Sequence, residues 1–147
     1  MKSTAGLESK KEAVDQNLLP IVFYDAECGL CDHSIQWVIA HDQEKIFHFA
    51  PLQGDTALSL IGSLHGQSSD WTIVYLDEDG RYDRSTAVLK IAQRLKWGRG
   101  LPNLFLAIPA TVRDIFYRFV AKIRYRVFGK IEACQLPAPS VRARFLP

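Results

Sequence analysis

Short apolar runs and helix-like patterns alternate along the first two thirds of the chain. Four runs rich in β-branched and aromatic residues are typical of strands, at residues 20–24, 45–50, 71–76 and 81–83. Three stretches repeat apolar residues at the spacing of a helix face, at residues 31–41, 55–64 and 85–97. The first two strands are joined through a helix, so we expect them to be parallel. Asp79 and Gly80 predict a hairpin turn between the last two strands.

The C-terminal third carries a different pattern. Pro102 and Pro109 bracket an apolar stretch, and a longer helix is predicted from Pro109 to about Phe128, with Gly129 as the residue that ends it. Its apolar stripe consists of Val112, Ile115, Phe116, Phe119, Val120, Ile123 and Val127. Packing in the core is the expected role of these side chains. Because the helix is also basic, a membrane-surface helix is the alternative. The Pro-marked tail after it predicts irregular structure.

A pair of cysteines, Cys28 and Cys31, lies where the first strand turns into the first helix, with Asp25 at the strand end. Amide hydrogens and the macrodipole at a helix N-terminus favour the thiolate, the nucleophilic form of cysteine. We therefore interpret Cys28 as the attacking thiol and Cys31 as the resolving thiol, with Asp25 relaying a proton to or from Cys31. Glu27, beside Cys28, acts against the thiolate as a like charge.

Two other interpretations of the cysteine pair stay open. One is half of a zinc site, which needs two more ligands. The candidate ligands are His33, His41, His48, His65 and Cys134, and none forms a second close pair. The other is a pair of structural thiols. The strand–motif–helix context favours redox chemistry over both.

The predicted order is β-α-β-α-β-β-α, with the dithiol at the first strand–helix junction. This is the arrangement of the thioredoxin fold, an α/β class with a mixed four-stranded sheet. Thioredoxin-like enzymes usually have a cis-proline just before the third strand. Here Ser69, Asp70 and Trp71 occupy that position, so we expect a substrate backbone to be held differently.

The segment VFYDAECGLC resembles the opening of the DCC family of thiol-disulfide oxidoreductases, in which Asp25, Cys28 and Cys31 match the name-giving pattern. The resemblance continues in RSTAVLKIAQRL, RYRVFGK, ACQLPAP and VRARFL, over roughly residues 20–147. It implies a thioredoxin-like fold and dithiol–disulfide exchange. Ile123 departs from the polar residue expected before the Arg-Tyr pair.

Length and composition predict one domain over residues 17–147, with a helical extension from about residue 101 and a disordered tail over residues 1–16. Apolar residues make up 48% and charged residues 23%, which are ordinary globular values. The chain has no membrane-length apolar run and no secretory signal pattern. Three cysteines with one close pair fit a reducing compartment, so we expect a cytoplasmic protein.

The net charge of +2 hides an asymmetry between the two halves. Residues 1–80 carry 4 Lys/Arg and 13 Asp/Glu, whereas residues 81–147 carry 14 and 3. Attraction between two layers of one fold is the simpler explanation. The alternative is a basic surface for an acidic protein or a membrane. No motif supports nucleic-acid binding.

Four further residues are secondary candidates. His33 lies close to the dithiol in sequence, where a protonated ring would stabilise a thiolate, although a solvent-facing histidine is the simpler expectation. Ser85 or Thr86 is predicted to cap the third helix. With Arg84 beside it, Ser85 could instead hold an anion such as the γ-glutamyl carboxylate of glutathione. Cys134 is expected to be a buried apolar residue rather than a third redox partner.

These observations predict a thiol-disulfide oxidoreductase whose partner is a disulfide-containing protein or a low-molecular-weight thiol. The reaction needs no dissociable cofactor and no metal. The alternative is a non-enzymatic thioredoxin-like module that binds an acidic protein or a membrane surface through its basic C-terminal helix.

Overall fold

The structure is a computed structural model, and it describes residues 16–26, 29–62, 73–128 and 139–147. Its four strands are β1 (Ile21–Tyr24), β2 (His48–Pro51), β3 (Val74–Leu76) and β4 (Arg81–Asp83). They form one sheet in the order β2-β1-β3-β4. β1 is parallel to β2, β3 is antiparallel to β1, and β4 is antiparallel to β3. The predicted α/β class with a thioredoxin-like mixed sheet is confirmed.

The helices are α1 (Gly29–His41), α2 (Asp55–Leu60), α3 (Arg84–Arg94), α4 (Leu101–Leu106), α5 (Ala110–Phe128) and α6 (Pro139–Arg142). Successive side chains of β1 point to opposite faces of the sheet. Val22 and Tyr24 pack with buried residues of α1 and α3. Ile21 and Phe23 pack on the other face, with Ala57 of α2. All four β1 side chains are buried, so the strand that leads into the dithiol motif lies at the centre of the core.

Several helices and strands begin or end at other residues than predicted. β2 begins at His48 rather than Lys45, and α2 is described only from Asp55 to Leu60. α3 ends at Arg94 rather than Trp97. Beyond it, Gly98 and Gly100 adopt positive φ in a tight turn, a conformation that glycine adopts without steric cost. This turn leads into α4, a short helix that the apolar stretch did not reveal.

The tail was expected to be irregular, and this expectation is wrong for the part that the structure describes. After α6, the chain runs along the outer edge of β2, where the Phe49 N–H donates to the Arg144 carbonyl at 2.8 Å. The Leu146 N–H in turn donates to the Phe49 carbonyl at 2.7 Å. Arg144 is buried and donates from Nε to the Phe47 carbonyl at 2.9 Å, and its Nη2 pairs with the buried carboxylate of Asp42. The tail therefore pairs with the outer edge of β2 through a single parallel bridge, between Phe145 and Phe49.

The expectation that the apolar stripe of α5 packs in the core is also wrong. Six of its seven side chains are 43–72% exposed, and only Ile123 is half-buried. The reason is that α5 docks through a different face, which carries Tyr117, Ala121, Arg113 and Asp114. None of the helices in the described ranges is both long enough and apolar enough to span a membrane.

Several expectations fall on residues that the structure does not describe. They concern the tail at 1–15, Glu27 and Cys28, the end of the second predicted helix, and the start of the third strand. They also concern His65, Gly129 and Cys134. These remain predictions.

Candidate active site

The candidate site lies where β1 passes into α1. Asp25 follows the last residue of β1 and is 1% exposed. Cys31 is the third residue of α1, so it lies in the first turn of a 13-residue helix. Its side chain is half-buried and packs against the core cluster of Val22, Tyr24 and their neighbours. The structure thus brings Asp25 and Cys31 to one junction, while Cys28 lies outside the described residues.

Gln53 holds the loop that carries Asp25. Its Nε2 donates to Asp25 Oδ1 at 2.8 Å, and its Oε1 accepts from the Ala26 N–H at 3.2 Å. Gln53 comes from the loop after β2, and the parallel register of Tyr24 with Pro51 brings the two strand ends together. Sequence reasoning missed Gln53. The available signal was that polar residues after two parallel strands meet at the same edge of the sheet.

A groove with an almost entirely apolar lining opens beside Cys31, with a volume of about 480 Å³. We call it the dithiol groove. It lies between α1, α3 and α5, and its walls include Cys31, Tyr24, Trp37, Trp97 and Tyr117. The two tryptophans meet edge to face with their ring centroids 5.4 Å apart. These aromatic residues come from separate elements, so the groove was not apparent from the sequence.

The histidines do not assemble a metal site in the described part of the chain. There, no group of three or more His, Cys, Asp or Glu side chains is placed to hold a metal ion. His33 is exposed and lines the dithiol groove, which agrees with its expected proximity to the motif. His41 instead stacks on Trp37 with centroids 4.1 Å apart, and its Nδ1 lies 2.8 Å from the Trp37 carbonyl oxygen.

The structure corrects the expected role of Ser85 and Thr86 as caps. α3 begins at Arg84, and neither hydroxyl lies at the capping position, which is occupied by Asp83. Ser85 Oγ donates to Asp114 Oδ1 at 2.5 Å, and Arg113 Nη1 donates to Ser85 Oγ at 3.2 Å. A carboxylate from α5 therefore occupies the position at Ser85 that was considered for an anionic ligand.

The charge asymmetry is partly resolved by pairs between the two halves. Arg144 pairs with Asp42 in the interior, and Arg94 Nη2 lies 3.0 Å from Glu78 Oε1 at the surface. Surface pairs of the second kind contribute little to stability. Attraction between the two halves therefore accounts for one buried ion pair. Much of the positive charge of α5 remains at the surface.

Comparisons with known proteins agree with this geometry. The sequence profile of a family described as DCC1-like thiol-disulfide oxidoreductase matches residues 22–130. The uncharacterized protein YuxK of Bacillus subtilis (strain 168) is 38% identical over 128 residues, covering 86% of this chain and 93% of that protein. A DCC family protein of Arabidopsis thaliana, named as chloroplastic, is 31% identical over 125 residues, covering 83% and 72% respectively. No solved structure matches the chain significantly.

Proposed function

Because the chain belongs to the DCC1-like thiol-disulfide oxidoreductase family, which supports a redox function, we propose that it exchanges disulfides through Cys28 and Cys31. Cys28 is the attacking thiolate and Cys31 the resolving thiol. The position of Cys31 carries the proposal, since it lies half-buried in the first turn of α1, at the strand–helix junction that also carries the buried Asp25. A helix N-terminus favours thiolates, and a deeper second thiol suits the resolving step.

The reaction passes two electrons from the dithiol to the substrate. The Cys28 thiolate attacks one sulfur of the substrate disulfide, which forms a mixed disulfide and expels the other substrate sulfur as a thiolate. Cys31 then loses its proton and attacks the Cys28 sulfur. The second substrate thiolate leaves, and Cys28 and Cys31 are joined by a disulfide. The two thiolates of the substrate take up protons, and an external dithiol restores the enzyme.

Asp25 is proposed to accept the proton of Cys31 during the second step. Its burial keeps the carboxylate away from water, and Gln53 fixes one of its oxygens through a 2.8 Å hydrogen bond. A positioned base contributes a factor of about 10²–10⁴ to a proton transfer. In an Asp25→Asn variant we expect the mixed disulfide to form at the normal rate and to resolve at least tenfold more slowly. A variant in which both steps slow equally would contradict this role.

The dithiol groove is proposed to accept the residues that flank the substrate disulfide. Its aromatic walls favour apolar side chains, because burial of apolar surface stabilises a complex by about 25 cal/mol per Å². A disulfide flanked by apolar residues should therefore be a better substrate than oxidised glutathione, which is charged and small.

The experiment that tests the proposal is trapping of the mixed disulfide. In a Cys31→Ser variant the substrate should stay attached to Cys28, where mass spectrometry of the intact adduct detects it. The matched Cys28→Ser variant should trap nothing. Trapping that persists in the Cys28→Ser variant and is lost in the Cys31→Ser variant would reverse the two assignments.

Two further measurements separate redox chemistry from its alternatives. Equilibration of the thiols against glutathione buffers should give a two-electron potential between about −120 and −270 mV, the range of dithiol enzymes. If residues 28 and 31 form no disulfide anywhere in this range, the proposal fails. Metal analysis of the purified protein tests the zinc interpretation, which predicts a stoichiometric ion.

A further inference from the structure

A second surface of the molecule exposes large apolar side chains. Phe116, Phe119 and Ile115 of α5 are 72%, 64% and 65% exposed. On the neighbouring α4, Leu104 and Phe105 are 66% and 49% exposed. Exposed apolar patches of this kind mark interaction sites, because single surface hydrophobics are common but clusters are not.

Two of these side chains, Phe105 and Phe116, line one concave surface, which we call the α4–α5 groove. Phe105 and Ile108 line one wall, and Val112, Phe116 and Val120 line another. The groove has a volume of about 440 Å³ and almost no polar lining. Exposed apolar side chains from α4, from α5 and from the turn between them therefore meet in this groove.

A cationic row borders the apolar stripe of α5. Arg118, Lys122 and Arg126 are spaced four residues apart, so they lie along one edge of the helix, and all three are exposed. Within the described ranges, no carboxylate forms an ion pair with any of them. Asp114, the acidic residue of α5, faces inward toward Ser85. The outward face of the helix thus combines uncompensated positive charge with exposed aromatic rings.

We propose that α4 and α5 bind an anionic lipid surface, with α5 lying in the plane of the interface. A basic helix with aromatic and aliphatic side chains on its apolar face adopts this position, because the rings enter the acyl boundary while the cations stay at the phosphate level. The stripe extends from Val112 to Val127, a helix length of about 22 Å. Charge complementarity favours anionic lipid over a symmetric contact with a second copy, which would bring the cationic rows together. The argument for this surface does not rest on the thiol chemistry.

The test uses the full chain and vesicles of phosphatidylcholine with or without 30 mol% phosphatidylserine, at roughly physiological ionic strength. We expect cosedimentation with the anionic vesicles only. Each cation near an anionic surface strengthens binding about fivefold, so the triple variant Arg118→Gln, Lys122→Gln, Arg126→Gln should bind about a hundredfold more weakly. A Phe116→Ser, Phe119→Ser variant should lose about tenfold or more, because buried rings contribute strongly.

The matched control removes the same charge elsewhere, with Lys45→Gln, Arg81→Gln and Arg142→Gln. These three cations are exposed and line neither groove. The control should retain most of the binding. Circular dichroism verifies that each variant is folded.

Three results would overturn the proposal. The first is absence of binding by the wild-type chain. The second is equal loss in the control and the cationic-row variant, which would indicate only general charge attraction. The third is a dimer in sedimentation that the Phe116→Ser, Phe119→Ser variant disrupts, without vesicle binding. That result would assign the groove to a second copy of the chain.

Discussion

The buried pair of Asp42 and Arg144 gives the most quantitative prediction. Asp42 is 4% exposed, and its carboxylate accepts hydrogen bonds from the N–H groups of Ile46 and Phe47 at 3.1 and 3.0 Å, as well as from Arg144. Arg144 itself is 9% exposed. An Arg144→Met variant keeps much of the aliphatic side chain but leaves the carboxylate buried without its cation.

Breaking a buried ion pair from one side costs about 3–5 kcal/mol. Two amide donors remain on Asp42, so we expect the lower end, about 3 kcal/mol, for Arg144→Met. Urea unfolding followed by circular dichroism measures this change. With a slope of about 2 kcal/mol per molar urea, the midpoint should fall by roughly 1.5 M while the slope stays constant.

Two comparisons identify the cause of that loss. Arg142→Met lies in the same tail but is exposed, so it should change stability by no more than about 0.5 kcal/mol. An Asp42→Asn variant and the double variant complete a cycle, in which the second substitution should cost less once the first is present. If Arg144→Met and Arg142→Met destabilise equally, the buried pair is not what anchors the tail.

Three other substitutions test the site. Ser85→Ala should destabilise by about 1–3 kcal/mol in urea unfolding, because it removes hydrogen bonds to α5. The control Ser59→Ala loses only a local hydrogen bond at an exposed position. If Ser85→Ala selectively lost glutathione-dependent reduction, that result would instead indicate an anion site. Trp37→Ala should lower kcat/KM for apolar peptide disulfides about threefold to tenfold and leave kcat/KM for oxidised glutathione unchanged. An equal decrease of kcat/KM for both substrates would exclude substrate contact with the groove. Gln53→Ala should slow resolution of the mixed disulfide without slowing its formation, and an unchanged resolution rate would show that Asp25 needs no such support.

The sequence predicted the parts of the fold that follow from local patterns. β1 and α1 are continuous segments with a clear hydrophobic pattern, so the sequence predicted their type and order. The parallel pairing of β1 with β2 followed from the helix between them. The placement of Asp25 and Cys31 at one strand–helix junction was predictable because the motif and the strand end are adjacent in the chain. The family resemblance is confirmed by the profile match over residues 22–130.

What the sequence did not reveal depends on contacts between distant segments. Gln53 lies 28 residues from Asp25 along the chain, and Arg144 lies 102 residues from Asp42. Contacts between residues so far apart in sequence produce no local sequence pattern. The apolar stripe of α5 was misassigned because periodicity shows which residues share a face but not what that face meets. The docking face of α5 includes polar side chains, since Asp114 and Arg113 form hydrogen bonds with Ser85.

Tyr117 lies between the two grooves, which also share Val88 and Val120 in their walls. Its side chain lines both the dithiol groove and the α4–α5 groove, and its hydroxyl accepts a hydrogen bond from the Ile73 N–H at 3.1 Å, immediately before β3. A shift of α5 at the outer surface would therefore reach the wall beside Cys31 and the entry to the central sheet. Two ligands that share such a wall have linked binding free energies, and the linkage is reciprocal. Occupation of the outer groove would change the affinity for the disulfide substrate, and the substrate would change the affinity of the outer groove by the same factor.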